Sequence, residues 1–414
     1  MTLEEQANRI ANLSHERQAR WRDDLQVNDR GKPEGSAINI ATALEKAPGL
    51  AGMLGFDEFE QKTLVLRAPP WNKGRFEVRQ WSDADDTELL LWLQSNGLPV
   101  RAVTSVADTA RMIAKRHSFD PLADYLNGLE WDGSPRLEAW LVTYLGAEPT
   151  KLNRAISRAF LISAVARGLR PGCQVDHVLT LESPQGIGKT ETVRTLGGKW
   201  TQENLPDLHS KDGIAALAGA WIVELSELAA MGRSEVEAVK SFISRRVDRY
   251  RPAYGRHVVE QPRRCVFIAT TNEGQYLRDR TGNRRFWPVK CSEIDLDALR
   301  EDRDQLFAEA VAAYRNGEAW HFTDPETIKA AEVEQLARVE HDPWTADIAS
   351  FILGKSQTTT SEILGMLDVP RGRSSAPQAK RIAGIMRELG WQKHEDQSQR
   401  RDGGKREVIW RAEQ

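Results

Sequence analysis

The segment Ser183-Pro184-Gln185-Gly186-Ile187-Gly188-Lys189-Thr190 has the residue types that hold a nucleoside triphosphate. Two glycines let backbone N–H groups turn toward phosphates. A lysine then sets positive charge against the β and γ phosphates, and a threonine hydroxyl can reach Mg²⁺. The segment follows an apolar run and precedes a helical stretch from Glu191 to Leu196, the context such a loop requires. Gly186, Ile187, Gly188, Lys189, Thr190 and Glu191 are the candidate cofactor-binding residues, with ATP and Mg²⁺ as cofactors. The pattern usually opens on glycine and here opens on Ser183, which leaves the geometry of its first turn open.

Four further segments carry side chains that complete phosphoryl chemistry. Trp221-Ile222-Val223-Glu224-Leu225-Ser226-Glu227 reads as a buried strand, neighbouring the loop, that ends in carboxylates. Either Glu224 or Glu227 can bind the Mg²⁺ shell or polarise the attacking water; the plain alternative is a pair of helix-start acids. Phe267-Ile268-Ala269-Thr270-Thr271-Asn272 places an amide at a strand's C-terminal end, where open α/β sheets hold ligands. Asn272 is thus a candidate for orienting water, although Thr-Thr-Asn alone is an ordinary turn. Arg284 and Arg285 precede the strand-like Phe286-Trp287-Pro288 and cannot both enter the core. One of them can reach the γ phosphate of a neighbouring subunit as an arginine finger; surface salt bridges are the bland alternative. From Lys240 to His257, basic and aromatic residues, Arg251, Tyr254, Arg256 and His257 among them, surround Pro252 and Gly255. That composition suits a hairpin that tracks phosphates and stacks bases, and equally a solvated charged loop. Asp83, Asp85 and Asp86 invite a two-metal reading, but they precede Leu89-Leu90-Leu91-Trp92, where acids favour a helix N-terminus. The capping reading is the one taken.

The elements that must position these groups follow from pattern. Val178 to Leu181, Trp221 to Leu225 and Cys265 to Ala269 are short apolar runs typical of buried strands, separated by helical stretches. That alternation implies an α/β layered core over residues 171–328. Asn153 to Leu169 is apolar on most sides and predicts a buried helix within a helical region, 105–170, broken by a turn at Asp132-Gly133-Ser134-Pro135. Residues 1–104 form an accessory region, expected to be mostly helical, with residues 1–24 a polar helix. A charged stretch over 329–343 reads as a linker. Residues 344–414 read as a separate winged helix, with Ala379, Ile382, Ala383 and Met386 at helical spacing and a hairpin around Asp402-Gly403-Gly404.

Composition narrows the class. At 414 residues, 40% apolar and 28% charged, the chain is a multi-domain globular protein. No run of about 18 apolar residues predicts a membrane span, and the polar start is unlike a signal peptide. Three dispersed cysteines, Cys173, Cys265 and Cys291, have no zinc spacing and fit a reducing cytoplasm. The formal charge of −3 hides an asymmetry: from Arg371 to Arg411 there are 11 basic and 5 acidic residues, a surplus of +6. Arg373, Lys380, Arg381, Arg387, Arg400, Arg401, Lys405 and Arg406 are the candidate DNA contacts there.

The order of these motifs resembles the virulence-associated E-like family of phage and mobile-element ATPases, itself similar to superfamily 3 replicative helicases of the AAA+ class. The resemblance covers roughly Trp131 to Phe322. Upstream, Asp29-Arg30-Gly31-Lys32, Asn39 and Ala68-Pro69-Pro70-Trp71 look like the segment that precedes such ATPases in primase–helicase proteins. The resemblance implies that Lys189 and Thr190 bind the triphosphate, Glu224 and Glu227 are the acids, Asn272 is the sensor, and Arg284 or Arg285 the finger. It also implies a homo-oligomeric ring, a hexamer, acting on DNA in replication of a phage, prophage or plasmid beside a separate primase. An ATP-gated adaptor that binds DNA without unwinding it has the same motifs. A small-molecule kinase fits less well, since nothing supplies a substrate lid.

Overall fold

Strands of two to four residues give the N-terminal region a sheet as well as helices. The computed structural model describes residues 18–203, 211–226, 233–251, 258–277, 282–339, 342–369, 376–394 and 408–412. Strands β1 (Leu54–Asp57), β2 (Lys62–Val65), β3 (Arg79–Gln80) and β4 (Ser118–Phe119) form a sheet in the order β3-β2-β1-β4. Helix Val103–Arg116 packs on β1 and β2, and helices Ala37–Lys46 and Asp83–Ser95 pack on that helix. The mostly helical expectation misses this sheet because strands so short give no alternation to read. Of the expected polar helix over 1–24, residues 18–24 form a 3₁₀ turn and residues 1–17 lie outside the described residues.

Two polar residues named from the sequence tie this region together. Asn39 is fully buried and bonds Gln26 N–H, Gln26 O and Glu34 O, which closes the turn carrying Asp29 to Lys32. Asp85 is a helix-start residue that accepts from Ser82 N–H and Oγ and, at 2.6 and 2.7 Å, from both Arg79 guanidinium ends. Burial opposes its charge, but the Arg79 and Ser82 hydrogen bonds outweigh burial and bring the carboxyl down to about 2. Those bonds make it a cap rather than a metal ligand.

Next come β5 (Val178–Glu182), β6 (Thr201–Gln202), β7 (Ile222–Leu225), β8 (Val247–Tyr250), β9 (Val259–Pro262), β10 (Val266–Thr271) and β11 (Phe286–Lys290). All but β8 and β9 form one parallel sheet in the order β11-β5-β10-β7-β6. Every residue of β5, β7 and β10 is buried, as strands covered on both faces must be. Helix Lys151–Leu169 belongs to that cover and buries all but Arg158 between Ile156 and Gly168. Trp221 ties strand to cover: its indole N–H donates to Ala164 O at 2.9 Å, and its ring lies 4.5 Å from Phe307 of helix Leu296–Arg315. The strand with Glu224 was expected beside the loop strand. In the sheet β10 intervenes, because chain order does not fix spatial order when a later strand inserts between earlier ones.

The expected linker is helical in its first part. Helix Pro325–Ala337 buries Ala331 in the core, and Gln335 Nε2 donates to Phe286 O at 2.9 Å. The first compact unit accordingly runs to Arg338, and a second comprises Leu277–Asp279 and Val339–Gln414. The second unit contains, in order, helix Trp344–Ile352, β12 (Gln357–Thr359), helices Thr360–Met366 and Ala376–Glu388, then β13 (Trp391–His394) and β14 (Ile409–Ala412). Its antiparallel sheet has the order β12-β14-β13 around Ile363, Ile382, Met386 and Trp410.

Candidate nucleotide site

Because the sheet is parallel, the C-terminal ends of β5, β10 and β7 open at one edge, where ligands of such sheets bind. The loop after β5 is shaped by Gly186 and Gly188, whose φ angles of +89° and +105° lie in the left-handed region that glycine enters cheaply. A side chain added at Gly186 would meet no atom within 4 Å, so that backbone faces open space. Ser183 needs no such freedom. The described non-glycine residues with positive φ are Gln61 and Asp368, so the loop opens on ordinary backbone. The serine adds a ligand instead, since its Oγ accepts from Lys189 Nζ at 2.8 Å.

Lys189 begins helix Lys189–Gly197, whose N-terminal N–H groups favour anions. Its ammonium also reaches Ser183 O at 2.9 Å, Pro184 O at 3.1 Å and Asn272 Oδ1 at 2.8 Å. Burial pulls this amine below the ordinary lysine range, against the opposing influence of Cys291 and Glu224.

Glu224 is 1% exposed near the end of β7. Its Oε1 accepts from Thr190 Oγ1 at 2.9 Å and Thr270 Oγ1 at 2.8 Å. A hydroxyl and a carboxylate side by side beside a phosphate loop are the protein donors Mg²⁺ takes when phosphates and waters complete its shell. Among the described residues, no group of three His, Cys, Asp or Glu could hold a metal by itself. Thr270 is the site residue that pattern reading missed: FIATTN drew notice for its asparagine, yet the hydroxyl two positions earlier holds the acid. A cavity of about 540 Å³ unites Gly186, Gly188, Lys189, Thr190, Glu191, Ser226, Thr270 and Asn272. Glu191 pairs with Arg194 at its rim, and Ile187 packs its side chain on the core. Glu227 lies outside the described residues.

The arginine pair sits elsewhere. Phe286 of β11 is level with Val178 of β5, so Arg284 and Arg285 flank the opposite edge of the sheet, roughly 13 Å of strand from the phosphate loop. Arg284 is exposed, while Arg285 Nε donates to Ser244 Oγ at 2.9 Å. The basic-aromatic segment does fold as a hairpin: β8 pairs antiparallel with β9 from Val247↔Pro262 to Tyr250↔Val259. Its base is anchored by the buried Arg263–Asp248 pair, with Arg263 stacked 4.0 Å from the Phe242 ring. Arg251 is exposed beyond β8; Tyr254, Arg256 and His257 lie outside the described residues.

In the second unit, Lys380 and Arg387 are exposed on helix Ala376–Glu388, opposite the buried Ile382 and Met386. Arg381 is committed to Asp342 at 2.7 Å through two nitrogens and lies 3.8 Å from the Trp344 ring centre. Arg373, Arg400, Arg401, Lys405 and Arg406 fall outside the described residues.

A sequence profile of the virulence-associated protein E-like domain matches residues 126–339, from the helices that cover the sheet to the end of the first unit. Similar solved structures include two of the NrS-1 C terminal region without ligand. One is 12% identical, covers 87% of this chain and 96% of that chain, and has a TM-score of 0.46. The other, an A form, is 12% identical, with 87% and 95% coverage and a TM-score of 0.42. No curated protein matches the chain.

Proposed function

Because the chain belongs to the virulence-associated protein E-like domain family, we propose that it is a Mg²⁺-dependent ATPase stimulated by DNA. It would work as a ring, a hexamer, in replication of a phage, prophage or plasmid. The observation that carries this reading is the meeting of Lys189, Thr190, Thr270 and Asn272 in one cavity at the carboxyl edge of the sheet, with the buried Glu224 bonded to Thr190 and Thr270 behind its wall. On ATP binding, Lys189 exchanges the loop oxygens for β and γ phosphate oxygens. Thr190 and Glu224 would hold Mg²⁺, which would supply positive charge against the phosphates. Asn272 orients the attacking water, and Glu227, three residues beyond Glu224, is the acid left to polarise it. The distance of Arg284 and Arg285 from their own loop favours a finger supplied to a neighbouring subunit.

The order helix, strand, helix, helix, strand, strand in the second unit supports a winged-helix reading. Lys380 and Arg387 would face phosphates, as would Arg251, Tyr254, Arg256 and His257 in the first unit. No helix among the described residues is long and apolar enough to cross a membrane, and we place the protein in the cytoplasm with a separate primase as partner. ATP hydrolysis measured with and without single-stranded DNA tests the reading, with Lys189→Ala expected to abolish it. Hydrolysis that survives in that variant removes the motor assignment. Strand displacement separates a helicase from an ATP-gated adaptor, which would show none when fully assembled.

A further inference from the structure

Beside the nucleotide cavity lies a second buried carboxylate that the reaction does not consume. Glu182 is the last residue of β5 and the one before the phosphate loop. It and Arg338 are each 5% exposed. Arg338 donates through two nitrogens to the two Glu182 oxygens, Nη2 to Oε2 at 2.8 Å. Tyr276 donates its hydroxyl to Glu182 Oε1 at 2.7 Å, and its backbone N–H donates to Arg338 O at 3.1 Å. Burial, then the neighbouring Glu182 charge and hydrogen bond, keep the Tyr276 phenol far above the usual range, so it remains a donor at working pH.

Three segments remote in sequence therefore meet at one carboxylate: the start of the phosphate loop, the loop after β10 and the end of helix Pro325–Ala337. The loop after β10 is the informative one. It leaves the sheet at Thr271, exposes residues 272–275 and becomes buried again at Tyr276. Asn272 stands on that exposed span, with Oδ1 2.8 Å from Lys189 Nζ. A buried ion pair adds little net stability over an apolar substitute, but a guanidinium fork fixes direction as a lysine does not. Anchoring the far end of a short loop to the residue before Ser183 fixes the sensor against the phosphate loop.

We propose that Arg338 and Tyr276, acting through Glu182, are positioning residues that hold Asn272 at working distance from Lys189 and the γ phosphate. The inference rests on the ATPase reading above. Tyr276→Phe removes one hydroxyl; Glu182→Gln combined with Arg338→Met removes the pair without leaving a buried charge alone. In both, kcat should fall by about tenfold to a hundredfold, since displacements near 1 Å carry that cost. The Kd for a fluorescent ATP analogue should move by less than about threefold, because the phosphate loop itself is intact. Arg338→Lys, which keeps the charge and loses the fork, should fall between. The wild-type chain and Lys189→Ala are assayed alongside, with folding followed by circular dichroism. Folded variants whose kcat stays within about twofold of wild type overturn the proposal, as does a Kd that worsens in step with kcat. A wild-type chain without Lys189-dependent hydrolysis overturns the ATPase reading itself, and the positioning role with it.

Discussion

Two buried glutamates lie at or next to the ends of strands of the same parallel sheet and are held in opposite ways. Glu182, closing β5, is met by the Arg338 guanidinium and the Tyr276 hydroxyl. Glu224, near the end of β7, is deeper still, yet it is held by two threonine hydroxyls, and no cation among the described residues forms an ion pair with it. An ionised carboxylate taken from water costs several kcal/mol unless charge compensates it. Glu182 is compensated within the fold and belongs to its architecture. In the proposed function Glu224 is left for a cation that would arrive with the nucleotide, which is what would separate a reactive acid from a structural one.

The difference is sharpest if each acid loses its charge in turn. Glu224→Gln keeps an acceptor for Thr190 and Thr270 but offers little to a metal. Hydrolysis should drop about a thousandfold, roughly 4 kcal/mol of transition-state energy, while the denaturant midpoint stays at or above that of wild type. A clear loss of stability in this variant would place Glu224 with the structural acids. Glu182→Gln should do the reverse, costing about 3 kcal/mol of unfolding free energy because Arg338 is left buried without its partner. Adding Arg338→Met should restore most of that stability. If Glu182→Gln unfolds like wild type, the pair is not compensating burial and the contrast collapses.

The two acids also mark where the sequence is legible. LTLE and IVEL are the same kind of segment, a mostly apolar run with a glutamate at or next to its end, and of these two acids only Glu224 is singled out from the chain, by its place downstream of the phosphate loop. Lys189, Thr190, Glu224 and Asn272 can be read because each lies within or a short loop after a buried strand whose apolar run is visible. Arg338 cannot: its partner is 156 positions away, in a stretch whose charges look like those of a linker. The same limit hides the insertion of β10 between β5 and β7, since pairing between strands leaves no trace in the runs themselves. Ser183 is the opposite case, a visible departure from the usual glycine whose consequence, a hydroxyl ligand for Lys189, depends on where the loop folds.

A third acid lies between these extremes. Asp57, the last residue of β1, is 4% exposed, and among the described residues neither a cation nor a hydroxyl bonds it. Its Oδ1 accepts from the backbone N–H groups of Phe59 and Glu60 at 2.8 Å each. Burial raises the carboxyl most; the Glu60 N–H opposes that, the Glu60 charge adds to it, and the net value is about 6, above the ordinary 3.8. Between those values the folded chain keeps a proton that the unfolded chain has lost. Stability from this group is therefore full below about pH 4 and falls away as pH rises through about 6, by about 1–2 kcal/mol after solvent screening. Asp57→Asn retains the oxygen that closes the turn and never carries the charge. The variant should unfold at a higher denaturant concentration than wild type at pH 7.5 and match it at pH 4. A gain of equal size at both values would mean that the turn tolerates the charge, and that backbone N–H groups alone do for Asp57 what Arg338 does for Glu182.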